Sequence, residues 1–149
     1  MCYNIKKTAA FPPVLTGREQ SVITGIGLDL CAIERVLRAI ERPRFLERVY
    51  TPAERARIEG AKGVRRGEIA AGTFAAKEAV AKALGTGFAG FFADAIEVLP
   101  DALGRPVCRL SGGALERAAE LAGNGGFRVW VSITHEAGTA AAMAVIEKN

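Results

Sequence analysis

The sequence predicts an α+β fold, a single domain in which an antiparallel sheet packs against helices. The chain has 149 residues, the length of one ordinary domain, and shows no internal repeat. β-prone segments lie at its start and in its last third, and segments with helical spacing or composition lie between them. The predicted order is one strand, three helices, two strands, one helix and two strands, which fits this class.

The first predicted elements are a strand and two helices. Residues 22–28 are β-prone, and their two glycines allow another backbone to approach closely. An amphipathic helix is predicted over 30–41, because apolar residues recur there at helical spacing. These residues are Leu30, Ile33, Leu37 and Ile40. A capping box with proline at the first helical position, Thr51-Pro52-Ala53-Glu54, starts a short helix that Gly60 ends.

The rest of the chain is predicted to hold two helices and four strands. Residues 67–84 are rich in alanine and form the longest helix, which ends at Gly85-Thr86-Gly87. Ser111 caps a further helix that runs to Gly123. The strands are predicted at 96–99, 107–110, 127–133 and 139–146.

The composition excludes several classes of protein. Half of the residues are hydrophobic and 24% are charged, as in a soluble globular protein. The three cysteines are far apart and there is one histidine, so neither a disulfide framework nor a structural zinc site is expected. No apolar run approaches the ~20 residues that cross a bilayer. We therefore expect a cytoplasmic protein, with residues 1–20 as a loosely ordered N-terminal extension and 21–149 as the folded domain.

The positive charge is concentrated in one stretch. The whole chain carries +4, whereas residues 35–66 hold ten lysines and arginines against four glutamates, a net +6. This concentration of positive charge indicates that the stretch binds an acidic or phosphorylated partner. The simpler alternative is that the stretch is a solvated cationic face without a partner. A nucleic-acid-binding module is the competing class, but the stretch offers only Phe45 and Tyr50 for base stacking.

Three polar positions are candidates for chemistry. Asp29 lies where the predicted strand meets the predicted helix, and is either a helix N-cap or a metal ligand. Glu78 and Lys82 are four residues apart on the longest helix, and form either a surface ion pair or part of a phosphate site. His135 ends a strand, and is either a hydrogen-bonded structural residue or a group at the mouth of the same site.

Together these residues suit phosphate chemistry. Asp29 and Glu78 could hold Mg²⁺, which usually takes one or two protein carboxylates plus water and phosphate oxygens. Lys77 and Lys82 would neutralise the remaining phosphate charge, as phosphoryl transfer or pyrophosphate cleavage requires. Other phosphate-binding motifs are excluded, because Leu30 replaces the third glycine of a dinucleotide fingerprint and there is no P-loop.

Taken as a set, these segments resemble holo-acyl-carrier-protein synthase, the short bacterial type of 4′-phosphopantetheinyl transferase. The resemblance runs from about Val22 to Ile146. Its most specific parts are Gly25-Ile26-Gly27-Leu28-Asp29, Phe74-Ala75-Ala76-Lys77-Glu78-Ala79 and Val131-Ser132-Ile133-Thr134-His135. It implies a fold of the 4′-phosphopantetheinyl transferase type and Mg²⁺-dependent transfer of phosphopantetheine from coenzyme A to a serine of apo-acyl carrier protein. Adenosine 3′,5′-bisphosphate would be released, and fatty acid biosynthesis supported.

The resemblance also implies roles for single residues. Asp29 and Glu78 would bind Mg²⁺ and act in catalysis with Lys82. Lys82 and Lys77 would contact phosphate oxygens, and His135 would lie close to coenzyme A. The base that deprotonates the serine is either Glu78 itself or a metal-bound water oriented by one of the two carboxylates. Many members have arginine where this chain has Thr73, so one cationic contact to the nucleotide is either missing or supplied elsewhere.

Partners follow from the same resemblance. The acidic recognition helix of the carrier protein would meet four arginines on and after the first long helix. These are Arg35, Arg38, Arg42 and Arg44. Short members form homotrimers with active sites between protomers, and the longer transferases duplicate the fold at about twice this length, so the length favours the short type. Neither nucleic acid nor a membrane is expected as a partner, and the carrier proteins accepted stay open.

Overall fold

The computed structural model describes residues 22–123 and 125–149. The predicted extension, residues 1–20, lies outside the described residues. Helices and strands follow in the order β1 Val22–Ala32, α1 Ile33–Ile40, α2 Pro43–Val49, α3 Pro52–Glu59, α4 Gly63–Ala83, β2 Ile96–Pro100, β3 Pro106–Leu110, α5 Gly112–Leu121, β4 Phe127–Glu136 and β5 Thr139–Lys148. A single 3₁₀ turn, Ala93–Ala95, precedes β2. The predicted α+β class is confirmed.

The strands form two antiparallel sheets, one of three strands and one of two. In the larger sheet β5 lies between β1 and β4, so these two are its edge strands. The register sets Asp29 opposite Ala142 and Ala142 opposite Ile133. Residues from the two ends of the described chain therefore meet on one sheet.

Helix α4 packs across one face of the three-stranded sheet and forms the centre of the core. Its contact with β1 is made by small residues, because Ala79 and Ala83 are buried against the two strand glycines. A Cβ on Gly27 would overlap the carbonyl oxygen of Ala79, and one on Gly25 would overlap that of Ala83. The predicted close approach at these glycines is confirmed. Although α4 has 21 residues, no helix in the described ranges is both long and apolar enough to cross a membrane.

The opposite face of this sheet carries exposed apolar side chains. Ile26, Leu28 and Leu30 on β1 are 63%, 64% and 68% exposed. Trp130 on β4 and Met143 on β5 extend the same face and are also exposed. No other element among residues 22–123 and 125–149 covers them. Contiguous apolar surface of this kind marks an interaction site.

Two sequence predictions at the start of the chain are wrong. The strand continues to Ala32 and α1 begins only at Ile33, so Leu30 is a strand residue instead of the start of a helix. Leu30 has helical spacing to Ile33, but it also continues the alternation of Ile26 and Leu28, and strand pairing with β5 decides between the two patterns.

The ends of the helices differ in how they are capped. The predicted capping box at Thr51 and Glu54 is present, with both hydrogen bonds formed. Ser111 occupies the N-cap position of α5, but its side chain makes no capping hydrogen bond and instead donates to the carbonyl of Ala95. Helix α2 was not predicted; its seven residues have no side-chain cap and bury no residue fully.

Candidate active site

Asp29 and Lys82 meet where β1 crosses α4. Asp29 Oδ1 accepts a hydrogen bond from Lys82 Nζ at 2.9 Å, and the same ammonium donates to the carbonyl of Leu28 at 3.0 Å. The helix-cap interpretation of Asp29 is wrong, because β1 continues beyond it and the N-cap of α1 is Ala32. The strand, and not a helix end, positions this carboxylate.

Glu78 completes a cluster with these two residues, which we call the carboxylate cluster: Asp29, Glu78 and Lys82. Desolvation by burial, followed by the charge of Asp29, raises the pKa of Glu78. The positive charges of Lys82 and Arg35 oppose this rise. Lys82 forms its ion pair with Asp29 and not with Glu78 on its own helix. One partly desolvated carboxylate beside a second one is an arrangement that favours an additional cation.

The carboxylate cluster suits a cation that needs few protein ligands. In the described parts of the chain, no group of three or more His, Cys, Asp or Glu side chains could hold a metal ion. Two carboxylates are nevertheless enough for Mg²⁺, which takes its other ligands from water and substrate phosphates. The donor set of Asp29 and Glu78 therefore fits Mg²⁺ bound together with a phosphorylated substrate.

Lys77 does not join this cluster. Its ammonium lies 2.6 Å from Glu54 Oε2, and both side chains are 1% exposed. It also donates to the carbonyls of Val49 and Ala93, at 2.7 and 3.0 Å. Burial lowers the pKa of Lys77 and raises the pKa of Glu54, while the ion pair and its hydrogen bonds offset both effects. The ammonium thus ties the end of α2 and the 3₁₀ turn to α4.

An apolar cavity of about 480 Å³ lies next to Glu78, whose side chain forms part of its wall. We call it the aromatic pocket, because half of its lining residues are phenylalanines. They are Phe45, Phe74, Phe88, Phe91 and Phe92. Arg48 stands at the pocket with its guanidinium over the ring of Phe92. Sequence reasoning missed this pocket, although three phenylalanines within 88–92 after a glycine-rich helix end were a visible signal.

His135 lies at a different place in the chain's fold. It is the last residue but one of β4, and its Nδ1 is 3.5 Å from Glu68 Oε1 on α4. In the sheet register, His135 lies two strands away from Asp29 and is displaced from it by two residues along the strand direction. With ordinary strand spacings, the two Cα atoms are about 12 Å apart. Asp29 and His135 therefore occupy the two edge strands, and one chain does not bring them together.

A second cavity, of about 250 Å³, surrounds His135 and is rich in cations. Arg57 and Arg65 line it together with Glu68 and the buried Thr73. Burial and the neighbouring charge of Arg65 lower the pKa of Arg57. Two guanidinium groups against one carboxylate leave this cavity positively charged, so it attracts anions.

The four arginines expected to meet the carrier protein are exposed, but they do not share one helix. Helix α1 ends at Ile40, so Arg42 precedes α2 and Arg44 lies within it. Arg35 and Arg38 therefore lie on α1, whereas Arg42 and Arg44 belong to the start of α2. Arg38 pairs with Glu34 at 2.8 Å, whereas Arg35 lies close enough to the carboxylate cluster to influence Glu78. The arginines form a surface over two helices that ends at the cluster.

Comparison with known proteins gives consistent matches. The family model of the 4′-phosphopantetheinyl transferase superfamily matches residues 25–142. Holo-[acyl-carrier-protein] synthase of Solidesulfovibrio magneticus is 48% identical over 130 residues, which are 85% of this chain and 99% of that protein. The enzyme of the same name from Clostridium acetobutylicum is 43% identical over 127 residues, 85% of this chain and 98% of the relative.

Solved structures show the same similarity. The holo-(acyl-carrier-protein) synthase of Bacillus anthracis, in complex with coenzyme A (3′,5′-ADP), is similar with a TM-score of 0.70 and 35% identity. The match covers 85% of this chain and 98% of that one. The Helicobacter pylori synthase in complex with coenzyme A has a TM-score of 0.67 and 30% identity, over 81% of this chain and 98% of its own.

Proposed function

The chain belongs to the 4′-phosphopantetheinyl transferase superfamily and is a holo-acyl-carrier-protein synthase, and we propose from its site how it acts. It moves 4′-phosphopantetheine from coenzyme A to a serine hydroxyl of apo-acyl carrier protein, with Mg²⁺, and releases adenosine 3′,5′-bisphosphate. The carboxylate cluster carries this proposal, because Asp29 and the half-exposed ammonium of Lys82 form an ion pair and both lie close enough to Glu78 to influence its charge. Carrier proteins modified in this way would serve fatty acid biosynthesis.

Each residue of the carboxylate cluster has a different role in the proposed transfer. Mg²⁺ held by Asp29 and Glu78 would neutralise charge on the pyrophosphate of coenzyme A. Lys82 is half exposed, so its ammonium can turn from Asp29 to a phosphate oxygen. Lys82 pairs with Asp29 and not with Glu78, so we assign the carboxylate of Glu78 as the base that accepts the serine proton.

The bonds change in a single displacement. The serine oxygen forms a bond to the phosphorus that carries the pantetheine, and its proton passes to the carboxylate of Glu78. The bond from that phosphorus to the bridging oxygen breaks, and the electron pair leaves on adenosine 3′,5′-bisphosphate. Developing negative charge on the leaving phosphate lies next to the ammonium of Lys82, which favours the transition state.

We assign the cavity around His135 to the nucleotide end of coenzyme A. That end carries a separate phosphate on its ribose; Arg57 and Arg65 supply cations for it, and His135 offers ring nitrogens for hydrogen bonds. Arg57 and Arg65 would replace the arginine that many relatives have at the position of Thr73.

The same separation supports a homotrimer with active sites shared between protomers. Asp29 of the carboxylate cluster and His135 lie on opposite edge strands, so a neighbouring protomer would have to supply one of the two to a complete site. The exposed apolar face of the sheet supplies the contact surface that such an assembly needs. Sedimentation velocity tests this: Ile26→Lys should shift the protein to monomer and abolish transfer, and an unchanged assembly would exclude this face as the interface.

The carrier protein would dock on the arginine surface. Arg35, Arg42 and Arg44 form a cationic path across α1 and α2, and Arg35 ends it beside the carboxylate cluster. An acidic helix bound there would bring its serine to Glu78. The cytoplasm is the proposed compartment, because the free thiols of Cys31 and Cys108 fit a reducing environment.

Intact-mass spectrometry of the carrier tests the proposed reaction. Apo-acyl carrier protein incubated with the enzyme, coenzyme A and Mg²⁺ should gain one phosphopantetheine, and Asp29→Asn and Glu78→Gln should abolish the gain without loss of fold. Glu116→Gln, at an exposed glutamate of α5, is the matched control and should keep full activity. Absence of the adduct with every acidic carrier tried would refute the proposal, and a mobility shift of DNA or RNA at physiological salt would favour the nucleic-acid alternative.

A further inference from the structure

Glu68 is an acidic residue in the cavity around His135, which we assign to the phosphorylated nucleotide end of coenzyme A. Its side chain is 21% exposed, and none of the steps proposed above uses it. A carboxylate weakens the attraction of a cavity for a phosphate, because the two negative charges repel each other. The place of Glu68 beside Arg57 and Arg65 therefore points to a role other than phosphate binding.

The packing of α4 on β4 sets Glu68 opposite His135. A Cβ on Gly72 would lie 2.9 Å from Cγ2 of Ile133, so the helix and the strand are in close contact at this pair. Glu68 precedes Gly72 by four residues, about 6 Å along the helix axis. His135 follows Ile133 by two residues, about 6.7 Å along the strand. The two steps match in length, and they bring Glu68 Oε1 to 3.5 Å from Nδ1 of His135.

This contact orients the imidazole ring of His135. The side chain of His135 is 38% exposed and has two rotatable bonds, so the ring has several orientations open to it when no partner holds it. The two ring nitrogens point in different directions, and Nε2 is therefore turned away from the carboxylate that Nδ1 faces. Arg65 binds the other oxygen of Glu68, Oε2, at 3.3 Å. The two carboxylate oxygens thus have separate partners, and Oε1 is kept for His135.

We propose that Glu68 is a positioning residue, whose carboxylate holds the ring of His135 so that Nε2 donates a hydrogen bond to the ribose phosphate of coenzyme A. This inference rests on the proposed function. Both ring nitrogens carry a proton in that arrangement, so the ring binds as an imidazolium between the carboxylate and the phosphate. Loss of Glu68 should therefore weaken the binding of this phosphate. Charge repulsion alone predicts the opposite, because a cavity that loses a carboxylate attracts a phosphate more strongly.

Isothermal titration calorimetry with Mg²⁺ tests the proposal, with coenzyme A and 3′-dephospho-coenzyme A, which lacks the ribose phosphate, as the two ligands. Glu68→Ala should weaken the binding of coenzyme A about 10-fold, as for one charge-assisted hydrogen bond, and leave the dephospho ligand within about 2-fold. Glu68→Gln keeps an oxygen acceptor and should lie between Glu68→Ala and the wild type. Glu59→Ala, at an exposed glutamate of α3 that lines neither cavity at His135, is the matched control and should keep both affinities.

A double variant shows whether Glu68 acts through His135. His135→Ala should weaken the binding of coenzyme A at least as much as Glu68→Ala, and adding Glu68→Ala to it should cause no further loss. An equal loss in that background would overturn the positioning role, as would tighter binding of coenzyme A by Glu68→Ala or equal weakening of both ligands. Those three results leave the proposed transfer standing. A wild type that binds the two ligands equally would overturn both the nucleotide assignment and this inference.

Discussion

Gly27→Ala should destabilise the fold and slow the transfer together. The added Cβ would overlap the carbonyl oxygen of Ala79 and lie 2.8 Å from the amide nitrogen of Ala83, whereas ordinary contact begins at 3.4 Å. Relieving the second contact alone moves β1 from α4 by about 0.6 Å, the difference of those distances, and the overlap requires more. Both obstacles are backbone atoms that cannot rotate away. We therefore expect the upper part of the usual overpacking cost, about 3 kcal/mol of unfolding free energy.

The same displacement acts on catalysis because Asp29 lies two residues further along β1. Its carboxylate would move away from Glu78 on α4, and a misplacement of about 1 Å costs up to about 10²-fold in rate. Urea denaturation and initial rates of carrier modification measure the two effects in one preparation.

A matched glycine provides the control. Gly60 ends α3 with a φ of −70°, and a Cβ there would lie 3.2 Å from the carbonyl oxygen of Ala56. Gly60→Ala should stay within about 0.5 kcal/mol of the wild type and keep its rate. If Gly27→Ala matches the wild type in both measurements, the close approach of β1 to α4 does not position the site, and this reasoning is wrong.

The remaining predictions concern single titratable groups. In metal-free protein, burial raises the pKa of Glu78 above its unfolded-state value of 4.5. The protonated side chain therefore contributes stability to the fold below pH 4.5, and this contribution is lost as the pH rises through the folded-state pKa. Glu78→Gln should therefore raise the urea midpoint at pH 7 and match the wild type at pH 4, while removing activity. Lys77→Met leaves Glu54 buried without its cation and should cost about 3–5 kcal/mol in urea denaturation, part of which Lys77→Met/Glu54→Gln recovers. Burial raises the pKa of Cys108 from 9.0 to about 12, so peptide mapping should show iodoacetamide labelling at pH 8 about 10³-fold slower in the native than in the unfolded chain.

The sequence predicted most of the fold because its strongest patterns agree with the tertiary contacts. The alanine-rich α4, the capping box of α3 and the alternation in β4 all lie where they were expected. Helix α2 was missed because seven residues without a capping side chain give too little periodicity to recognise. The end of β1 was misjudged because Leu30 fits two periods, and only pairing with β5 selects one.

The site was predicted in part for a comparable reason. Asp29, Glu78 and Lys82 meet as their types suggested, since β1 and α4 contact each other at the glycines. Lys77 was expected at the phosphates, but neighbouring positions on a helix point in different directions, and only Glu54 on α3 reveals that this lysine faces inward. The aromatic pocket needs α2, the loop after α4 and the 3₁₀ turn together, and no local pattern encodes that assembly.

The separation of Asp29 from His135, on opposite edge strands of the sheet, has a genetic consequence. If each site takes its carboxylates from one protomer and its histidine from the next, an assembly that mixes two different inactive variants can be more active than either variant alone. A chain carrying Glu78→Gln and a chain carrying His135→Ala would each be inactive alone. A mixed assembly would nevertheless contain some sites in which the intact carboxylates of one protomer face the intact histidine of the next. Such alleles would complement, and the recovered activity would depend on the ratio in which the two chains are made.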